Sequence, residues 1–267
     1  NEELATLMID GCNYDEAIKQ LQVIRNKAPK NPRVYKLLGT AFVLFNHEEE
    51  GLIELNRAHE LDREDPETLF NLGGVYLLRD MYGNAADAFE KAIKIDPTDT
   101  TGYANLAAAY GMLKAYDKEI VALKKVLMFD PENKELRAAL SNSYFNSDRF
   151  EEAIDAAICV VEIDEKDTQA YCNLGSCYAA QNMVDDAIKA FNKASELAPD
   201  YSLPHTNLGS LYANMGRFET AIKELKLSVS LNDQDAGAWL TLYSCYKEVG
   251  LIEESQNAYS KYESIMN

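Results

Sequence analysis

Six tyrosines, Tyr76, Tyr110, Tyr144, Tyr178, Tyr212 and Tyr246, stand 34 residues apart without one insertion or deletion. Leu38, Leu72, Leu106, Leu140, Leu174, Leu208 and Leu242 keep the same interval, four residues ahead of the tyrosine position. A small residue follows the leucine in six of seven cases, at Gly39, Gly73, Ala107, Ser141, Gly175 and Gly209. A second small position lies twelve residues further on, at Gly51, Ala85, Ala153, Ala187, Ala221 and Ser255. A chain of 267 residues therefore holds a little under eight copies of one unit. Such a period argues against one or two globular domains, because each copy buries its apolar face only against the next. The register is 1–31 (partial), 32–65, 66–99, 100–133, 134–167, 168–201, 202–235 and 236–267, expected as a single array over 1–267.

Each unit reads as two helices. In 168–201, Tyr171, Leu174 and Tyr178, then Ala187, Ile188, Phe191 and Ala194, fall at the three- and four-residue spacing of an amphipathic helix. Breakers divide the two near Asn182, and at Gly216 and Gly250 in the matching places. The second helix commonly opens on acids (Asp15-Glu16, Glu49-Glu50, Glu151-Glu152, Asp185-Asp186, Glu253-Glu254), which complement the positive end of the helix dipole. Pro29, Pro97, Pro131 and Pro199 close units where a helix cannot continue.

Composition narrows the partners. With 26 Lys+Arg against 44 Asp+Glu, the net charge is −18. That balance disfavours nucleic acid and anionic membrane surfaces, which need clustered cations. No apolar run reaches the roughly 18 residues of a membrane-spanning helix. Five cysteines, an odd number with no C-x-x-C, make neither a disulfide framework nor a zinc site, and point to a reducing, cytoplasmic setting.

The residues Tyr171, Leu174-Gly175, Tyr178, Ala187, Phe191, Ala194 and Pro199 resemble the tetratricopeptide repeat pattern of aromatic, Leu-Gly, Tyr, Ala, Phe, Ala and Pro. The resemblance runs over the whole chain and implies an all-α fold, a right-handed α-solenoid of about eight helix-turn-helix repeats. Twelve of the 16 tyrosines occupy three positions of that pattern, so the tyrosine excess is architectural. Glu119 departs from it at the second small position and Tyr243 at the first, while Val126, Val160 and Tyr262 replace the later alanine. Local changes in helix spacing are expected in 100–133 and 236–267.

The resemblance also implies which residues line a concave groove: positions 2, 5, 6, 9, 12 and 13 of each unit. Position 6 reads Leu37, Asn71, Asn105, Ala139, Asn173, Asn207 and Thr241, and Asn142 lies one helical turn further in the unit that lacks its own asparagine. An asparagine amide both donates and accepts, as a peptide bond does, so a row of them can hold an extended backbone without reading its side chains. The arrangement is similar to the asparagine ladder in the superhelical tetratricopeptide region of O-linked N-acetylglucosamine transferase. Phe70, Leu77, Met112 and Phe145 stand at groove positions as candidate pockets for apolar side chains of the ligand. The groove positions carry three bases (Arg33, Lys36, Lys247) against three acids (Glu67, Glu135, Glu248). Chaperone-binding relatives clamp a terminal carboxylate with Lys, Asn and Arg, but position 2 here reads Glu67, Thr101, Glu135, Gln169 and Leu203, which disfavours a chaperone tail.

No phosphate loop, dinucleotide fingerprint, nucleophile elbow or H-E-x-x-H is present, and His47, His59 and His205 occupy unrelated repeat positions. No catalytic residue, metal site or cofactor is expected. Cys172 lies at a groove position, while Cys177 and Cys245 share a packing position. The start at Asn1, partway into a repeat, suggests a piece of a longer protein. The reading is a non-catalytic scaffold for an extended peptide segment. Its alternatives are the substrate-recruiting region of a larger enzyme such as a glycosyltransferase, or a structural protein that self-associates through its repeat ends.

Overall fold

The computed structural model describes residues 2–267. Sixteen α-helices and no strand make up the described residues, and each unit of the sequence is one helix pair. The pairs are α1 (Glu2–Asp10) with α2 (Tyr14–Lys27), α3 (Pro32–Leu44) with α4 (Glu48–Leu61), α5 (Pro66–Leu78) with α6 (Tyr82–Ile95), and α7 (Thr100–Met112) with α8 (Tyr116–Leu127). They continue as α9 (Lys134–Asn146) with α10 (Phe150–Ile163), α11 (Thr168–Ala180) with α12 (Val184–Leu197), α13 (Leu203–Asn214) with α14 (Phe218–Leu231), and α15 (Ala236–Glu248) with α16 (Ile252–Met266). The chain forms two compact units, Asn1–Pro131 and Glu132–Asn267, so that the first holds four repeats and the second holds four. Among the described residues no helix is long and apolar enough to cross a membrane.

Each unit is an α-solenoid. In the first, α1, α3, α5 and α7 touch one another in turn, and in the second α9, α11, α13 and α15 do the same. The even-numbered helices pack substantially only on odd-numbered ones. Crowding on one side and spreading on the other curves each unit, with the odd-numbered helices on the inner side.

Local chemistry sets the helix ends. Asn31, Asp65, Asp99, Asn133, Asp167 and Asp235 precede the odd-numbered helices, and their side chains accept from backbone N–H groups of the first turn. Tyr201 holds the matching place before α13, which starts one residue late on Ser202 with no side-chain cap. Between paired helices the chain turns through a left-handed residue in all eight repeats: Cys12, Asn46, Asp80, Lys114, Asp148, Asn182, Gly216 and Gly250, with φ from 55° to 78°. The next N–H then reaches back to the carbonyl five residues earlier, as Met183 does to Tyr178 (2.8 Å) and Arg217 to Tyr212 (2.9 Å). The glycines Gly216 and Gly250 were legible as breakers. The same turn on Lys114 or Cys12 was not, because those residues carry no left-handed preference.

Paired helices meet through a small residue facing a large one. A Cβ on Gly73 would lie 2.5 Å from the Phe89 ring, and one on Gly175 would lie 2.5 Å from the Phe191 ring. Gly209 stands in the same relation to Leu225 (2.5 Å) and Gly39 to Leu55 (2.6 Å). Phe89, Phe191, Leu55 and Leu225 are all fully buried there. Where the unit has Ser141 instead, the facing residue is Ala157, and the Ser141 hydroxyl donates to the Ala153 carbonyl at 2.9 Å.

The two irregular repeats differ as follows. In 100–133 the large Glu119 sits over Gly111, its Oε1 2.8 Å from where a Cβ would be, so a glycine on α7 makes room for the carboxylate. α8 has 12 residues where α4, α6, α10, α12 and α14 have 14, and its last turn tightens as Phe129 N–H bonds the Val126 carbonyl at 2.9 Å. In 236–267 the bulky Tyr243 is matched by Tyr259, whose ring lies 5.0 Å from it and is 39% exposed, so Tyr243 packs against the core while its partner lies at the core's edge. Val126 and Val160 are buried like the alanines they replace.

Two sites give expected outcomes in denaturant unfolding, the small-against-large contact and the left-handed turn. Gly175→Ala overpacks the Phe191 contact and costs about 1–3 kcal/mol. Adding Phe191→Leu recovers part of it, because the pair then matches Ala107 and Leu123. Lys114→Gly relieves a left-handed side chain and raises stability by about 1 kcal/mol, and Gly216→Ala lowers it by a similar amount.

Candidate functional site

The inner helices of the first unit bring Asn71 against the preceding repeat. Its Nδ2 donates to the Thr40 hydroxyl at 3.0 Å, and Thr40 in turn donates to the Lys36 carbonyl at 2.9 Å. The Asn71 amide is thereby oriented, with Oδ1 left to accept from outside. Asn71 lines an open pocket of about 320 Å³ whose walls include Val43, Leu44, Val75 and Leu78. Asn105, one repeat on, is half-buried and makes no side-chain hydrogen bond among the described residues. Met112 is 58% exposed and Leu77 half-buried; neither lines that pocket. Phe70 packs between repeats: its ring lies 6.1 Å from Phe89, and its edge would be 2.6 Å from a Cβ on Gly102 of α7.

In the second unit, Phe145 and Asn207 come together in a pocket of about 490 Å³. Ser176, Ser210 and Asn214, all groove positions, share it with Asn182 of the α11–α12 turn. The Phe145 ring is held edge-on to Phe150, with centroids 5.5 Å apart. Asn173 lies outside this pocket and is oriented by a relay: the Tyr201 hydroxyl donates to Gln169 Oε1 at 2.8 Å, and Gln169 Nε2 donates to Asn173 Oδ1 at 2.9 Å. Its amide nitrogen thus remains free to donate. Asn142 is exposed. The family resemblance implied groove positions for Ser210 and Asn214, whereas the contribution of the turn residue Asn182 was not implied, because that resemblance assigns only helix positions.

Groove charges are largely spent within the fold. Lys36 Nζ sits 3.0 Å from Asp65 Oδ2 and also pairs with Glu67. Burial alone would lower the Lys36 ammonium, yet its bonds to Glu67 and Asp65 hold it above the ordinary lysine value. Arg33 lies 3.7 Å from Glu2, and the Lys247 ammonium rests over the Tyr243 ring at 5.2 Å. Cys172 is buried, and burial pushes its thiol up to about 12, so it presents no thiolate to the groove at neutral pH.

One further polar cluster was not legible in the sequence. His205 Nδ1 lies 2.9 Å from Glu224 Oε2 and its Nε2 3.2 Å from Ser195 Oγ. The order Ser, His, Glu resembles a hydrolytic relay, but Ser195 lies in the last turn of α12, where carbonyls rather than N–H groups converge. His205 is buried at the place of Tyr171 in the preceding repeat, and the cluster ties α12, α13 and α14 together.

A tetratricopeptide repeat model matches residues 66–99 and 168–201, the limits that the tyrosine period assigns, and a second tetratricopeptide repeat model matches 190–223. No curated protein matches the sequence. Among solved structures, YrrB, described as a TPR protein with an unusual peptide-binding site, is 22% identical, with a TM-score of 0.63 over 69% of this chain and 95% of that one. The C-terminal part of a TPR repeat-containing protein from Cytophaga hutchinsonii is 15% identical, with a TM-score of 0.70 over 91% of this chain and 99% of that one. MamA from Desulfovibrio magneticus RS-1 is 22% identical, with a TM-score of 0.56 over 62% of this chain and 94% of that one. At these identities the likeness is one of fold. The chain therefore carries tetratricopeptide repeats at 66–99 and within 168–223, and each of its two units has the α-solenoid fold of such repeats.

Proposed function

We propose that this chain is a non-catalytic scaffold that binds an extended peptide segment along the inner helices of its repeats. The repeat fold suggests a protein-interaction scaffold, and YrrB, of similar fold, is described as having a peptide-binding site. The observation that carries the reading is the convergence of Phe145 and Asn207 with Ser176, Ser210 and Asn214 in one pocket of about 490 Å³. An aromatic wall beside amides and hydroxyls suits a peptide, which offers apolar side chains and a backbone that both donates and accepts. Asn71, Asn105, Asn173 and Asn207 hold the backbone, with Asn142 assisting, and Leu77, Met112 and Phe145 contact side chains. Phe70 contributes the part of its ring that inter-repeat packing leaves exposed.

Asn105 and Asn173 test the ladder cleanly, because replacing them breaks no buried hydrogen bond. For a peptide selected from a random display library against the full chain, Asn105→Ala with Asn173→Ala weakens binding by about tenfold or more while helical circular dichroism is kept. Unchanged affinity in that double variant sinks the ladder. Because Lys36 and Arg33 are already paired with acids and Lys247 rests on a tyrosine ring, raising salt from about 50 to about 500 mM changes the affinity by less than about threefold, measured by calorimetry. A loss of tenfold or more would instead indicate a charge-driven site.

A further inference from the structure

Gly74 has no structural reason to be glycine. Its neighbour Gly73 is forced by the Phe89 ring, and Gly39, Gly175 and Gly209 are forced in the same way. A Cβ on Gly74 would meet nothing within 4 Å, and the residue lies in the middle of helical α5. Glycine there is less stable than alanine, so the fold alone favours a side chain. The matching residues of the other full repeats all have one: Thr40, Ala108, Asn142, Ser176, Ser210 and Ser244. What the missing side chain leaves is space, because Gly74 lines the pocket of about 320 Å³ beside Asn71.

The lining of that space states what fits it. Val43, Leu44, Leu55, Val75 and Leu78 are aliphatic, and no charged residue lines the pocket. Leu44 and Leu78 are 48% and 63% exposed, an apolar surface that water covers poorly. The two polar residues are Thr40, whose hydroxyl is already engaged, and Asn71, whose Oδ1 accepts from no described residue. A charged side chain entering here would lose its hydration without gaining a partner.

We propose that this pocket is a specificity subsite for one aliphatic side chain, leucine or methionine, of an extended peptide. The backbone N–H of that residue or its neighbour donates to Asn71 Oδ1, and Gly74 leaves the floor open. The inference rests on the peptide-scaffold reading and sharpens it by naming the residue that the first unit selects.

The test selects a display library of random peptides of about twelve residues against the full chain and against its Gly74→Ala and Gly74→Phe variants. Peptides from the wild-type chain share leucine or methionine at one position, and those from Gly74→Ala, whose methyl group narrows the floor, show that preference weakened. Changing that residue to alanine in a synthetic peptide weakens binding to the wild-type chain about tenfold. On Gly74→Phe, whose new ring fills the pocket, the same change alters affinity by less than about twofold, while thermal unfolding stays at the wild-type temperature. Should Gly74→Phe unfold early, Gly74→Leu gives the same comparison. Peptides that need Asn105 and Asn173 but show no aliphatic preference, or keep it in the filled variant, overturn the subsite and leave the scaffold reading standing. If no peptide is selected, both fall.

Discussion

The contact on which the rest depends is the close approach of paired helices, a small residue of the first against a large one of the second. Gly73 with Phe89 and Gly175 with Phe191 leave no room for a single methyl group. That approach buries the aromatic ring completely and sets how each helix pair offers its surface to the next. The pairing is a sum rather than a pair of fixed residues. Ser141 faces Ala157, and Glu119 lies over Gly111, so size lost on one helix is restored on the other. At Tyr243 and Tyr259 both sides are large, and the contact lies at the core's edge.

Turns and caps make the units interchangeable. Every repeat reverses through one left-handed residue followed by an N–H that returns to a carbonyl five residues back. Six of the eight turns use a residue other than glycine. Tolerating that local strain shows how strongly helix packing determines the turn, since Lys114 would not choose this conformation by itself. The Asp or Asn caps before the inner helices are equally regular, and among the described residues the one matching position that lacks them, Tyr201, gives a shorter helix. Tyr201 is not idle: its hydroxyl begins the relay that orients Asn173.

The recurrence in the candidate site was legible because spacing repeats each helix position along the chain, and the family resemblance implied which of those positions face the groove. The register put Asn71, Asn105, Asn173 and Asn207 at one station, and Phe145, Ser176, Ser210 and Asn214 on the same side. It did not show that Asn71 is bonded to Thr40, or that Phe70 is wedged between Phe89 and Gly102. Those facts involve residues on different helices, and a side chain's partner there depends on the rotation between neighbouring helices. The same limit hid His205, whose partners Ser195 and Glu224 come from two other helices.

Sequence alone determined the unit, its length and its two helices, while the inward-facing positions were implied only by the family resemblance. Period and amphipathicity are local properties, and a 34-residue repeat without insertions carries them unchanged along the chain. Tertiary structure decided the division into Asn1–Pro131 and Glu132–Asn267, the burial of Cys172, and which amide atoms remain free to bind. It also decided that the glycine at 74 is open space while the glycine at 73 is a contact. The two are adjacent and identical as letters. Only the neighbouring helix, present at one and absent at the other, tells them apart.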